Sequence, residues 1–274
     1  MKTEGFEGTV GIAGCGDMGL PMARALRQAG IDCLGFDIRP VAEFGDFAPQ
    51  MLADPAAFAG RCDVLVSVVR DARQTLDLYF DDQAIFNQPI YPKVCLLAST
   101  VSPRFLPEVA ARLPEDVLFF EAPMSGAPIA AEEARLTFML GADQATASPY
   151  QPLIRAMGRV IHHLGAPGRG MTCKVLNNFV AATSVLAVRH VLRGAADSGL
   201  APEKLLEVMS VSSGGTWFGD NFDRIAWAGE DYDPGNTIGI IEKDVRAYLD
   251  ALSDGGGAFE DALLDELRGL EPLD

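Results

Sequence analysis

Over its first half the chain alternates short apolar runs with amphipathic stretches, the pattern of β-α-β units around a parallel sheet. The apolar runs predict strands at Thr9–Ala13, Asp32–Phe36, Val64–Val69, Val94–Leu97, Val117–Phe120 and Leu136–Leu140. A helix is expected at Pro21–Gln28, ended by Gly30, and another after Asp54, an N-cap residue that precedes Pro55 at the first helical position. Beyond the turn-rich Gly165–Gly170 the pattern becomes helical: Met171–Asp197, Pro202–Ser210, Asn221–Ala228, Ile238–Leu252 and Phe259–Leu270. The fold class expected is α/β, a doubly wound parallel sheet in residues 1–166 followed by an all-α domain in residues 167–274.

With 274 residues, 49% of them hydrophobic and 22% charged, the chain has the make-up of a globular protein of one or two domains. Its 22 Lys and Arg against 38 Asp and Glu leave a net charge of −16, which repels phosphate backbones and anionic lipid. Nucleic acid and membranes are therefore not expected as partners. The opening MKTEGFEGTV lacks the apolar core of a signal peptide, and the uncharged run Val175–Val188 is short for a bilayer span, so a cytoplasmic location is expected. Five cysteines (15, 33, 62, 95 and 173) form no CxxC pair and read as free, buried thiols of a reducing compartment. Of the three histidines, His162 and His163 are adjacent, and two adjacent residues cannot both face one metal from the same strand, so no metal site is predicted.

The first predicted strand runs through Gly14-Cys15-Gly16-Asp17-Met18-Gly19 directly into a helix. This is GxGxxG in the strand–turn–helix setting of a Rossmann-like, dinucleotide-binding domain. Gly14 permits the tight turn, Gly16 lets a pyrophosphate approach the backbone, and Gly19 allows close helix–strand packing. Eighteen residues beyond Gly19, Asp37 closes the second strand, where a carboxylate accepts hydrogen bonds from ribose hydroxyls and repels a 2′-phosphate. NAD is thus expected over NADP, although Arg39, two residues on, is the kind of side chain that embraces such a phosphate.

At the predicted domain boundary, Lys174 and Asn178 stand four residues apart on one helix face, and Lys174 is followed by fourteen uncharged residues. A lysine heading such a helix is expected in semi-apolar surroundings that lower its pKa and let it exchange protons near neutrality.

Taken together, these blocks resemble the β-hydroxyacid dehydrogenases, the family of 3-hydroxyisobutyrate dehydrogenase and tartronate semialdehyde reductase, related to 6-phosphogluconate dehydrogenase. The similarity runs from Thr9 to about Leu270, and Gly11 through Ala23 match the family's cofactor block. The resemblance implies cofactor contacts at Gly14, Gly16, Asp17, Met18, Gly19, Asp37, Arg39, Val69, Thr100 and Lys243. It implies substrate contacts at Ser125, Gly126, Ala127 and Asn178, and Lys174 as general acid/base. The implied reaction is hydride transfer between a nicotinamide and a small 3-hydroxy carboxylate. A homodimer or homotetramer is expected, because the long apolar helix needs more cover than one chain supplies.

Three residues depart from the family pattern. Ala127 stands where a second glycine is usual and is expected to favour short substrates, Arg70 replaces a proline, and Glu121 replaces an aspartate. Two alternatives accompany this reading. A dinucleotide-binding sensor or assembly subunit without turnover needs neither Lys174 nor Asn178. A related imine reductase is disfavoured, since a cationic lysine repels an iminium ion.

Overall fold

The structure, a computed structural model, describes residues 6–253 and 255–273. It divides into two compact units, residues 1–174 and 175–274. The division falls inside a long helix rather than at the glycine-rich turn before it.

In the first unit five strands, β1 (Thr9–Ala13), β2 (Asp32–Phe36), β3 (Val64–Ser67), β4 (Val94–Leu97) and β5 (Leu118–Glu121), form a wholly parallel sheet in the order β2-β1-β3-β4-β5. Parallel pairing needs crossovers, made here through α1 (Gly19–Gln28), α2 (Pro55–Ala59), α3 (Ala72–Tyr79) and α4 (Leu106–Arg112). Asp54 caps α2 as expected, its carboxylate accepting the Ala57 amide at 2.8 Å. The strands are continuous apolar runs because both sheet faces are buried. Val64 and Val66 enter one core with Val10, Ile12 and Leu96, while Leu65 enters a second with Leu97, Phe58 and Tyr79. Because β2 and β3 flank β1 on opposite sides, the winding reverses between β1 and β3, and ligands of such sheets lie at the strand ends there.

The sequence-based assignment needs correction. Leu136–Leu140 (β7) is not a sixth strand of this sheet but the centre of a second one, with β6 (Met124–Ser125) antiparallel and β8 (Gly158–His163) parallel to it. The cause is local: the chain reverses between Ser125 and Leu136, so β7 returns antiparallel along the segment from Glu121 to Ser125, whose Pro123 carbonyl accepts the Met139 amide at 2.9 Å. β8 escaped the sequence pattern because only Gly158 of its six residues is buried, so no apolar alternation marks it. β3 ends at Ser67, which leaves Val69 in the following loop. Helices α5 (Ala127–Glu132), α6 (Gln144–Ala147) and α7 (Gln151–Met157) complete this unit.

The second unit is helical, with most of α8 (Arg169–Asp197), then α9 (Pro202–Ser210), α10 (Trp217–Asp220), α11 (Thr237–Ala251) and α12 (Ala258–Arg268). The helix expected at Asn221–Ala228 is absent. Instead α10 lasts a single turn, capped by Thr216, and a 3₁₀ turn spans Phe222–Arg224. Aromatic packing holds this segment, with Phe218 stacked on Trp227 at 5.5 Å between ring centroids and set edge-on to Phe222.

Lys174 and Arg189 bracket the uncharged run, yet α8 continues past both charges. At 29 residues it is, among the described residues, the one helix long and apolar enough to cross a bilayer by length and composition only, a test that a core helix also passes. Its Arg189 is nevertheless fully buried, donating to the carbonyls of Ala228 and Glu271 at 2.6 Å each, all within the helical unit.

All five cysteines are free, and four of them are buried. Burial pushes the thiols of Cys15, Cys62 and Cys95 up to about 12 and raises that of Cys33 as well, so these four stay protonated. Cys173 is partly exposed.

Candidate functional site

The glycine turn joins β1 to α1 at the point where the winding reverses, and each glycine there meets a different constraint. Gly14 has φ +89°, and a Cβ on it would lie 2.7 Å from the Val68 carbonyl oxygen. A Cβ on Gly19 would sit 2.0 Å from the Gly14 carbonyl oxygen, so strand and helix touch backbone to backbone. A Cβ on Gly16 would meet nothing within 4 Å, which leaves its outer side open to a ligand. No side chain caps α1, whose N-cap is Met18, and no acidic residue stands in its first turn. The helix terminus therefore keeps its amides and dipole available to an anion, which is what a dinucleotide pyrophosphate requires. Asp17 is exposed, while Met18 and Val69 are partly buried.

Asp37 follows β2 with its side chain 9% exposed. Arg39 grips it: Oδ1 accepts the Arg39 backbone amide and Nε at 3.0 Å each, and Oδ2 accepts Nη2 at 3.2 Å. The same Nη2 donates to the Cys15 carbonyl at 2.9 Å, and the guanidinium lies over the Phe44 ring at 4.9 Å. Hydrogen bonding to Asp37 raises the Arg39 pKa further above its already high value. The two residues that pull cofactor choice in opposite directions are thus one hydrogen-bonded unit tied to the glycine turn.

At the end of β4, Ser99 is buried and Thr100 partly exposed, and Ser102 accepts the Arg104 amide to start a 3₁₀ turn. Ser125 ends β6, paired with Thr137 of β7. Beyond it the backbone enters positive φ twice, at Gly126 (+141°) and at Ala127 (+57°). Ala127 thus holds a left-handed conformation that glycine adopts without its steric cost. Ala127→Gly is expected to raise stability by about 0.5–1 kcal/mol, read as a higher thermal midpoint, because the strain removed exceeds the chain entropy glycine adds. A lower midpoint would contradict this account of the loop.

Lys174 is 7% exposed and stands one turn before Asn178 on α8. Within the helical unit, Asn178 donates through Nδ2 to Asp244 Oδ2 at 2.5 Å, and Lys243 Nζ lies 2.6 Å from Asp244 Oδ1. Asp244, itself 7% exposed, therefore fixes the side chains of both Asn178 and Lys243. The sequence reading gave it no role. Its signal was the dipeptide Lys243-Asp244 on a helix whose carboxylate had no assigned partner. Among the described residues, no group of three or more His, Cys, Asp and Glu side chains is placed to hold a metal ion.

Residues 9–165 match the family model for the NAD-binding domain of 6-phosphogluconate dehydrogenase. The chain belongs to the β-hydroxyacid dehydrogenase family. Residues 168–261 match the model described as the NAD-binding of NADP-dependent 3-hydroxyisobutyrate dehydrogenase. L-threonate dehydrogenase of Cupriavidus necator is 30% identical over 247 residues, which are 88% of this chain and 82% of that one. The mitochondrial 3-hydroxyisobutyrate dehydrogenase of Mus musculus is 28% identical over 219 residues, 79% of this chain. The match spans 65% of the mouse protein's length. A solved 3-hydroxyisobutyrate dehydrogenase of this family, from Salmonella typhimurium, superposes with TM-score 0.81 at 25% identity, covering 96% of this chain and 94% of that one. An imine reductase from Streptomyces aurantiacus shares the fold alone, at 17% identity and TM-score 0.64.

Proposed function

We propose that this chain is an NAD-dependent oxidoreductase that interconverts a small 3-hydroxy carboxylate and its semialdehyde or ketone, with Lys174 as the proton-transfer group. The observation that carries the reading is Lys174, a buried lysine one helical turn from an amide side chain that Asp244 holds in place. The names of the relatives support a hydroxy acid as the substrate class. A bound nicotinamide supplies the acceptor or donor of hydride. In oxidation the neutral amine of Lys174 takes the proton of the substrate hydroxyl, and in reduction its ammonium form returns a proton to the carbonyl oxygen. Ser125, Gly126 and Asn178 hold the carboxylate or hydroxyl and so fix the reacting geometry, and Lys174 and Lys243 supply positive charge for an anion in an acidic protein. The absence of any disulfide among the five free cysteines supports a reducing compartment such as the cytoplasm.

A second copy of this chain is the proposed cover for α8. Leu176, Val180 and Val191 stand 48%, 64% and 42% exposed along it, beside a groove of about 340 Å³ lined by Phe179, Val180, Ala187 and Phe259.

Asp37 leads to a cofactor prediction. Catalytic efficiency with NAD is expected to exceed that with NADP by at least about tenfold, or roughly 1.4 kcal/mol. Asp37→Ser shrinks the gap, because it removes the repelling carboxylate and frees Arg39 for a 2′-phosphate. Steady-state rates of 3-hydroxy acids with each cofactor, read at the reduced-nicotinamide absorbance, test the reading. Equal efficiencies in the unmodified protein would assign control of the adenosine pocket to Arg39, and no turnover with any 3-hydroxy acid would overturn the assignment.

A further inference from the structure

Glu121 is the last residue of β5, is 1% exposed, and is no part of the chemistry described above. Its carboxylate points at the start of α8. Oε1 accepts the Gly168 amide at 2.6 Å and the Gly170 amide at 3.2 Å. Gly168, at φ +88°, has no side chain with which to cap the helix, so a carboxylate from a neighbouring strand takes the orphan amides of the first turn.

The surroundings are cut to fit it. A Cβ on Gly141 would lie 1.6 Å from Glu121 Oε1 and 2.0 Å from its Cδ, so this glycine makes room for that side chain. A Cβ on Gly170 would lie 2.4 Å from the Met139 carbonyl oxygen and 2.6 Å from the Gly141 amide nitrogen, so the first turn of α8 rests on the backbone at the end of β7. The Gly141 amide donates to the Glu121 carbonyl at 3.1 Å, which closes the cluster. From Gly170 to Lys174 is a single helical turn.

We propose that Glu121 is a positioning residue: its buried carboxylate clamps the first turn of α8 and thereby fixes where Lys174 stands. The proposal rests on the reading of Lys174 as the proton-transfer group. Geometry rather than stability accounts for the charge. Burial holds the Glu121 carboxyl above its ordinary pKa despite the backbone amides bonded to it, so an ionised group here costs the fold desolvation energy that a neutral amide of the same shape would not. The carboxylate is longer by one methylene than the aspartate of the family pattern, and Gly141 accommodates that length.

Glu121→Gln tests this with two independent measurements. Amide hydrogen exchange at Gly168 and Gly170 is expected to speed up by about tenfold or more while the rest of α8 keeps its protection, a result that requires no turnover at all. With a 3-hydroxy acid, kcat is expected to fall about ten- to a hundredfold, with the KM for NAD and the affinity for NADH within about threefold of the native values. Unchanged exchange at both glycines overturns the clamp, and kcat within about twofold of native overturns the positioning. A native protein without turnover would instead remove the reading of Lys174 and leave the exchange result standing. Gly141→Ala provides a second route, because its methyl overlaps the Glu121 carboxylate. It should reproduce the kcat loss, and Glu121→Asp, which withdraws the overlapping atoms, should recover part of that loss in the double variant. Additive losses in the double variant would contradict a shared fit.

Discussion

Lys174→Met is expected to lower turnover by about 10² to 10⁴ while leaving NADH affinity nearly intact. The side chain keeps its length and apolar stem, so the burial of this position is preserved and only the proton-carrying nitrogen is lost. The glycine turn and the Asp37–Arg39 pair, which hold the other end of the cofactor in this account, are untouched. Lys174→Arg should not rescue, because a guanidinium remains protonated throughout the working range and cannot accept a proton. Turnover of the methionine variant within about threefold of native, with the same pH profile, would leave Lys174 as an ordinary helix residue.

Arg189→Ala is expected to destabilise the helical unit by about 3–5 kcal/mol. The side chain is fully buried, and its two nitrogens bind the carbonyls of Ala228 and Glu271 at 2.6 Å, tying α8 to two chain segments that lie outside regular helices. Truncation to alanine leaves a cavity and strips both acceptors of this donor. Desolvation and the neighbouring Arg193 lower the Arg189 pKa, so the charge itself is carried at a cost. Arg189→Met, which fills much of the volume and removes that cost, should lose less, about 1–3 kcal/mol. The thermal midpoint of the helical unit should fall by about 12 °C or more for alanine and by clearly less for methionine. Equal losses for the two variants would mean that the carbonyl hydrogen bonds, and not the filled volume, hold the segment.

The sequence made legible what rests on unbroken apolar runs and on glycines with a steric reason. β1, β2, β4 and β7 have the predicted limits because each is buried on both sides and bounded by turn residues. The assignment of β7 to the parallel sheet failed because strand pairing is decided by the chain reversal between Ser125 and Leu136, which hydrophobic periodicity does not encode. β8 stayed hidden because its exposed Arg159, Val160, His162 and His163 carry no strand pattern. In the candidate site, the GxGxxG turn and the Lys174–Asn178 spacing were readable from local rules. The partners that orient them were not: Asp244 lies 66 positions from Asn178, and Glu121 lies 47 from Gly168, so only the folded chain brings each pair together. Arg39 was foreseen as a competitor for a phosphate, but its grip on Asp37 came from the structure.

The central claim is hydride transfer from the hydroxyl-bearing carbon of a 3-hydroxy carboxylate to a nicotinamide. Its most direct test supplies the native chain with NAD and 3-hydroxy acids deuterated at that carbon, and then measures the mass of the reduced cofactor. The account predicts reduced nicotinamide one mass unit heavier for at least one short 3-hydroxy acid, with the label lost from the substrate. A protein that binds NADH stoichiometrically yet forms no labelled reduced cofactor with any member of the series would contradict it.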